Sequence, residues 1–222
     1  MAGPDPAPRP EAEADPATLP PPHLVADMAA LAAAEPLFAE AARAAVRFVP
    51  VFHGPGFMSL LRQILAQQVS TAAATAMGAK LARLLPAGDA AGFLALADDS
   101  LAACGFSRQK RRYARALADS VCGGALDLAA LAGLDDDEAR ARLTALPGIG
   151  PWTADCYLLF AEGRRDLFPA ADLALQVGWQ RLLGLPQRPS AAVLAERAAD
   201  WQPLRSAAAL LIWKSYLAAA SR

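Results

Sequence analysis

The sequence predicts an all-α fold, on three observations. Apolar residues recur at helical spacing along most of the chain. β-branched residues are scarce and no alternating segment of convincing length appears. Ser or Asp stands at the head of successive periodic runs. The 222 residues are 55% hydrophobic and 19% charged, apolar material enough for one large domain or two small lobes sharing a core.

Residues 1–22 hold eight of the 18 prolines, interleaved with Ala, Asp and Glu. Proline removes backbone donors and few large apolar groups offset the entropy of ordering, so this stretch reads as a disordered tail. A first helix is expected at 24–34, and Pro36 opens a second at its first turn. Phe57, Leu60, Leu61, Ile64 and Leu65 follow the spacing of one buried helical face. Ser70 then caps a helix that ends before Pro86. Short helices follow at 90–97 and 99–104, Gly105 stops the second, and Ser107 caps a longer one to about 122. Asp135 to Glu138 place negative charge in the first turn of a helix reaching Ala145. A turn over 146–150 leads to a helix from Pro151 to Glu162. Asp172 opens another to Leu183, and helices at 190–200 and 203–220 close the chain.

Composition excludes several classes. No apolar run reaches the roughly 18–20 residues of a spanning helix, and no charged-then-apolar leader is visible, so a cytoplasmic protein without signal peptide or membrane contact is expected. Cys104, Cys122 and Cys156 lack CxxC spacing, which argues against a disulfide scaffold and a cysteine-bound transition metal. The net charge of −1 hides an asymmetry: residues 1–40 carry one basic and seven acidic residues, the remainder 20 basic and 15 acidic. The body of the chain therefore suits a polyanion.

The most informative segment is Leu146-Pro147-Gly148-Ile149-Gly150 between two helices. Gly148 and Gly150 can adopt backbone conformations closed to other residues and let another backbone approach closely. The N–H groups opening the next helix, at Thr153 among others, suit a phosphate oxygen. On these residues alone the segment is either a phosphate cradle or an ordinary helical turn. Asp172, 22 residues beyond Gly150, is on the same terms either a helix cap or a catalytic carboxylate.

Together these features resemble the helix-hairpin-helix DNA glycosylase superfamily. The Phe168-Pro169-x-x-Asp172 spacing is similar to its DNA-3-methyladenine glycosylase II branch, in a compact form without the extra N-terminal domain. The resemblance implies two helical lobes within 23–222, a central one at about 56–165 and a second from 23–55 plus 166–222, with Asp172 in the cleft between them. It makes Asp172 catalytic. A fixed carboxylate in a dry cleft stabilises the charge that develops on the sugar as the glycosidic bond breaks, and it orients or deprotonates water. No second acid accompanies it, which fits leaving bases that are already cationic, such as 3-methyladenine and 7-methylguanine.

Superfamily members that also cut the backbone carry a lysine shortly after the hairpin; here Trp152 stands at that position. The iron–sulfur cysteines of the endonuclease III branch are missing as well. The resemblance thus implies a monofunctional base-excision enzyme without cofactor, acting as a monomer on duplex DNA by base flipping. It places Trp213, Trp152 and Cys156 around the base. Gln68 becomes the residue filling the gap left by the flipped nucleotide, with Gln67 more buried behind it. Ser70, Arg108, Lys110, Thr153 and the hairpin residues Pro147 to Gly150 meet DNA, and a monovalent cation sits on the Leu146 and Ile149 carbonyls. Relatives have an aromatic where Cys156 sits and an acid where Ala171 sits.

Bland alternatives stand beside each role: a corner for Gln68 and Ser70, a solvated face for Arg108, Arg111, Arg112 and Arg115, and core packing for Trp213. Two functional rivals also remain. One is a glycosylase for neutral lesions such as hypoxanthine or a mismatched base; the other is a non-catalytic DNA-binding module.

Overall fold

The computed structural model describes residues 20–43 and 54–220. Most of the proline-rich tail and residues 44–53 of the expected second lobe lie outside the described residues. Among the described residues there are twelve α-helices and no strand. They are α1 (Pro22–Ala34), α2 (Pro36–Arg43), α3 (Phe57–Ala66), α4 (Thr71–Leu84), α5 (Ala90–Leu94), α6 (Asp98–Ala103), α7 (Arg108–Cys122), α8 (Asp136–Thr144), α9 (Pro151–Phe160), α10 (Leu173–Leu183), α11 (Ala191–Ala198) and α12 (Arg205–Ala220).

Side-chain caps set several of the starts. Ser70, Ser107, Asp135, Asp172 and Ser190 each accept the N–H three residues on, at Ala73, Lys110, Glu138, Leu175 and Val193. Such a cap contributes about 1 kcal/mol. Helix ends differ from expectation where short polar runs intervene. The helix expected at 90–97 stops at Leu94, because Ala97 becomes the cap of α6 and Asp98 and Asp99 fill its first turn. The helix expected over 190–200 gives way after Ala198 to a 3-10 turn, Ala199–Trp201, and α12 starts only at Arg205.

The helices fall into two packed groups. In one, α3 packs on α4, α7 and α9, α5 and α6 cover α7, and α8 lies along α9. In the other, α12 packs on α1, α2 and α10. The α10–α12 contact is close because position 178 is glycine. A Cβ there would lie 2.8 Å from Ile212 Cγ2 and 2.9 Å from its carbonyl oxygen. An aromatic cluster of Phe38, Trp179, Trp201 and Phe168 seals the second group, with Arg197 stacked on both tryptophans.

The connection from α9 to α10 is fixed by ion pairs rather than by length of chain. Arg164 donates to the Leu131 and Leu134 carbonyls, Asp136 and Glu162. Arg165 makes a two-pronged pair with the buried Asp27 of α1, and Arg205 another with Asp166. Ser206 accepts the Leu167 N–H at 3.0 Å. Everything that follows in the chain, Asp172 above all, is delivered from this fixed base.

Candidate active site and nucleic-acid interface

Asp172 is placed by a tight turn. Its N–H donates to the Pro169 carbonyl at 2.8 Å, and Gln176 Nε2 donates to the Ala170 carbonyl at 3.0 Å. Phe168 packs against Trp201, so the Phe-Pro-x-x-Asp spacing joins a core contact, a turn and a helix cap in five residues. The carboxylate, half-buried at the head of α10, receives three N–H donors. Leu175 N–H and Trp213 Nε1 donate to Oδ1 at 2.9 and 3.0 Å, and Trp152 Nε1 donates to Oδ2 at 2.9 Å. Trp152 comes from α9 in the first helix group and Trp213 from α12 in the second, so the carboxylate joins both.

The three aromatic-pocket candidates take different positions. Trp152 is half-buried, while Trp213 is 8% exposed with its ring 5.3 Å from that of Phe160. Cys156 is 3% exposed. Burial first, then the charges of Asp172 and Asp155, push its thiol well above the usual range, so it stays protonated.

The hairpin uses glycine's backbone freedom at one of its two glycines. Gly148 takes the left-handed conformation (φ +85°), and a Cβ there would lie 2.2 Å from the Tyr113 ring. Gly150 does not: its φ of −89° is open to any residue. A Cβ there would have no atom within 4 Å, so neither backbone nor packing requires glycine at this position. Ile149 is buried and pins the turn, and its N–H donates to the Leu146 carbonyl at 3.2 Å. Pro147 and Gly150 are exposed. Pro151 has no N–H, so Trp152 and Thr153 supply the first free amides of α9. The Thr153 side chain is 4% exposed, its hydroxyl accepting from Gln67 Nε2 at 3.3 Å.

Gln67 also donates to the Gly148 carbonyl at 2.9 Å, a link from the α3–α4 corner to the hairpin that the sequence did not reveal. Gln68 beside it is exposed and held at φ +58°, a conformation uncommon outside glycine. Ser70 is exposed and caps α4.

The basic face of α7 divides. Arg115 donates to Asp98 and to the Leu94 and Leu96 carbonyls, and Arg111 to the Phe106 carbonyl with Asp98 3.4 Å away. Lys110 Nζ donates to the Leu65 carbonyl at 2.5 Å, at the C-terminal end of α3. Burial there lowers its pKa. Arg108 and Arg112 are exposed and, with Gln109, line a surface recess of about 450 Å³. Arg112 lies 5.3 Å from the centre of the Tyr113 ring that underlies Gly148. Arg108→Gln with Arg112→Gln is expected to reduce the slope of log K against log salt for duplex binding by about 2, since each phosphate contact contributes about 0.9. Arg115→Gln should leave that slope unchanged. A titration of affinity against salt checks both.

Residues 61–203 match the family of HhH-GPD superfamily base excision DNA repair proteins, and the chain belongs to it. It is 36% identical over 163 residues to the Mycobacterium tuberculosis "Probable bifunctional transcriptional activator/DNA repair enzyme AlkA", covering 69% of this chain and 32% of that one. It is 29% identical over 163 residues to DNA-3-methyladenine glycosylase 1 of Schizosaccharomyces pombe, covering 72% of each. The solved Schizosaccharomyces pombe 3-methyladenine DNA glycosylase in complex with abasic DNA shares the fold, with TM-score 0.77 and 24% identity over 85% of this chain and 95% of that one. The chain spans 38% of a Bacillus subtilis relative and 32% of the Mycobacterium one, about a third of their lengths. No helix among the described residues is long and apolar enough to cross a membrane.

Proposed function

We propose that this chain is a monofunctional DNA glycosylase that hydrolyses the N-glycosidic bond of alkylated purines, 3-methyladenine and 7-methylguanine, in duplex DNA. The observation that carries the reading is the Asp172 carboxylate, fixed by one backbone and two indole N–H groups. All three donors are neutral, so none of them brings a positive charge to where a sugar cation would develop. Asp172 acts as an electrostatic partner of that cation and orients the attacking water.

A cationic purine departs without a proton, so no general acid is needed. Absence of strand cleavage follows from where the amines are. The chain has three lysines, Lys80, Lys110 and Lys214. Lys110 and Lys214 are tied to the Leu65 and Ala42 carbonyls, and none lies between the hairpin and Asp172. Trp152 stands there instead.

The two helix groups act as lobes about the DNA, with Asp172 where they meet. Trp213 and Trp152 border the flipped base, Cys156 backs it, and Gln68 enters the gap. The amides of Trp152 and Thr153, the hairpin, Ser70, Arg108 and Arg112 hold the phosphates, and a nucleoid location goes with that reading. The Leu146 carbonyl keeps a lone pair beyond its bond to Ile149, so it and the Ile149 carbonyl fit a monovalent cation. Such a cation would add positive charge toward the same phosphate.

The test is product analysis on methylated duplex with chelator present. Free methylpurine, an uncut backbone and no borohydride-trapped adduct are expected. Nicking or trapping would contradict the monofunctional reading, and hypoxanthine release without methylpurine release would favour a neutral-lesion enzyme.

A further inference from the structure

A carboxylate offers about four acceptor sites. Three of those on Asp172 are taken, two on Oδ1 and one on Oδ2, which leaves a single lone pair on Oδ2. An indole N–H lies in the plane of its ring. Each bond therefore fixes two things at once: the rotation of the carboxylate and the edge that the tryptophan presents to it. Trp152 adds a mechanical link, being the second residue of α9, immediately beyond the hairpin. Trp213 adds another, reaching the same group from α12.

From these contacts we infer that Trp152 and Trp213 are positioning residues, whose N–H groups hold the Asp172 carboxylate in one orientation with one free lone pair, separately from any stacking of their rings on a base. The choice of donor is physical. An ammonium or guanidinium at either position would make a stronger bond but would cancel the negative field that the sugar cation needs. A hydroxyl would accept as well as donate and so leave the orientation open. Indole is a donor only, carries no charge and brings a rigid ring. The geometry further implies that asparagine at 172 is not a silent replacement. With its oxygen toward Leu175 N–H and Trp213, its amide nitrogen would face the N–H of Trp152, donor against donor.

The inference rests on the glycosylase reading for its kinetic consequence and on geometry alone for the contacts, and the test separates them. In the full chain, the indole ¹H–¹⁵N resonances of Trp152, Trp179, Trp201 and Trp213 are assigned by single Trp→Phe changes. Asp172→Asn should move the Trp152 resonance most, Trp213 less, and leave Trp179 and Trp201 in place. No movement of the Trp152 resonance would overturn the contacts, whether or not the protein releases any base.

The second arm replaces Trp152, and separately Trp213, by 3-benzothienylalanine, which keeps the ring and puts sulfur for the N–H. Single-turnover release of 7-methylguanine should fall about 10-fold or more, the worth of a hydrogen bond to a charged group, with duplex affinity unchanged. In the Asp172→Asn background the same replacement should cost nothing further. A wild-type rate in the benzothienyl variants would overturn the positioning role and leave the rings to stacking. A protein that binds methylated duplex yet releases no base, with the resonances moving as expected, would sink the glycosylase reading and keep the contacts.

Discussion

Asp172→Asn is expected to slow single-turnover base release by about 10²–10³-fold, the usual cost of removing one electrostatic contact to a developing charge. The fold should survive the change. Asn and Asp are near-equal helix caps, so α10 keeps its start, and duplex affinity should not fall, since losing a negative charge does not weaken attraction to a polyanion. Rate and affinity measured on the same methylated duplex therefore separate chemistry from binding. A variant that excises at the wild-type rate would reduce Asp172 to a cap.

Gly148→Ala carries the second large effect. Alanine at φ +85° costs about 1–2 kcal/mol for the left-handed backbone alone. Its Cβ would also sit 2.2 Å from Cδ2 and Cγ of Tyr113, and overpacking of that kind costs about 1–3 kcal/mol more. Tyr113 is not free to swing away, since Gln109 donates to its hydroxyl at 2.7 Å and Arg112 lies over its ring. Urea unfolding should show a loss of about 2–5 kcal/mol, the sum of those two costs. Duplex affinity should fall with it, because Gln67 would lose the Gly148 carbonyl. Adding Tyr113→Ala should restore only part of the loss, the backbone term remaining. Wild-type stability for the single variant would contradict the close approach.

Much of this was legible in the sequence. Helical spacing and the Ser and Asp caps give the helices to within a few residues, and the hairpin with Asp172 at its proper distance gives the family. Contacts between residues distant in sequence were not legible. Trp152 and Trp213 lie 20 and 41 residues from Asp172, and nothing local tells an indole that donates to a carboxylate from one that packs in a core. The four arginines of α7 look equivalent by periodicity. Asp98, brought over on α6, and the Leu94, Leu96 and Phe106 carbonyls divide Arg111 and Arg115 from Arg108 and Arg112. The sequence does not tell the two hairpin glycines apart; only Gly148 takes the left-handed conformation, and nothing around Gly150 requires glycine. Tyr113 left one faint signal, a lone aromatic among basic residues.

The most direct measurement compares two duplexes of one sequence, one carrying 7-methylguanine and the other hypoxanthine, under single-turnover conditions with chelator present. On the proposed mechanism Asp172 supplies a fixed negative charge with no acid hydrogen-bonded to it among the described residues, so the cationic base should leave at least about 100-fold faster, in line with the worth of such electrostatic contacts. Equal rates, or preference for hypoxanthine, would contradict the claim that Asp172 works on a leaving group that already carries its charge.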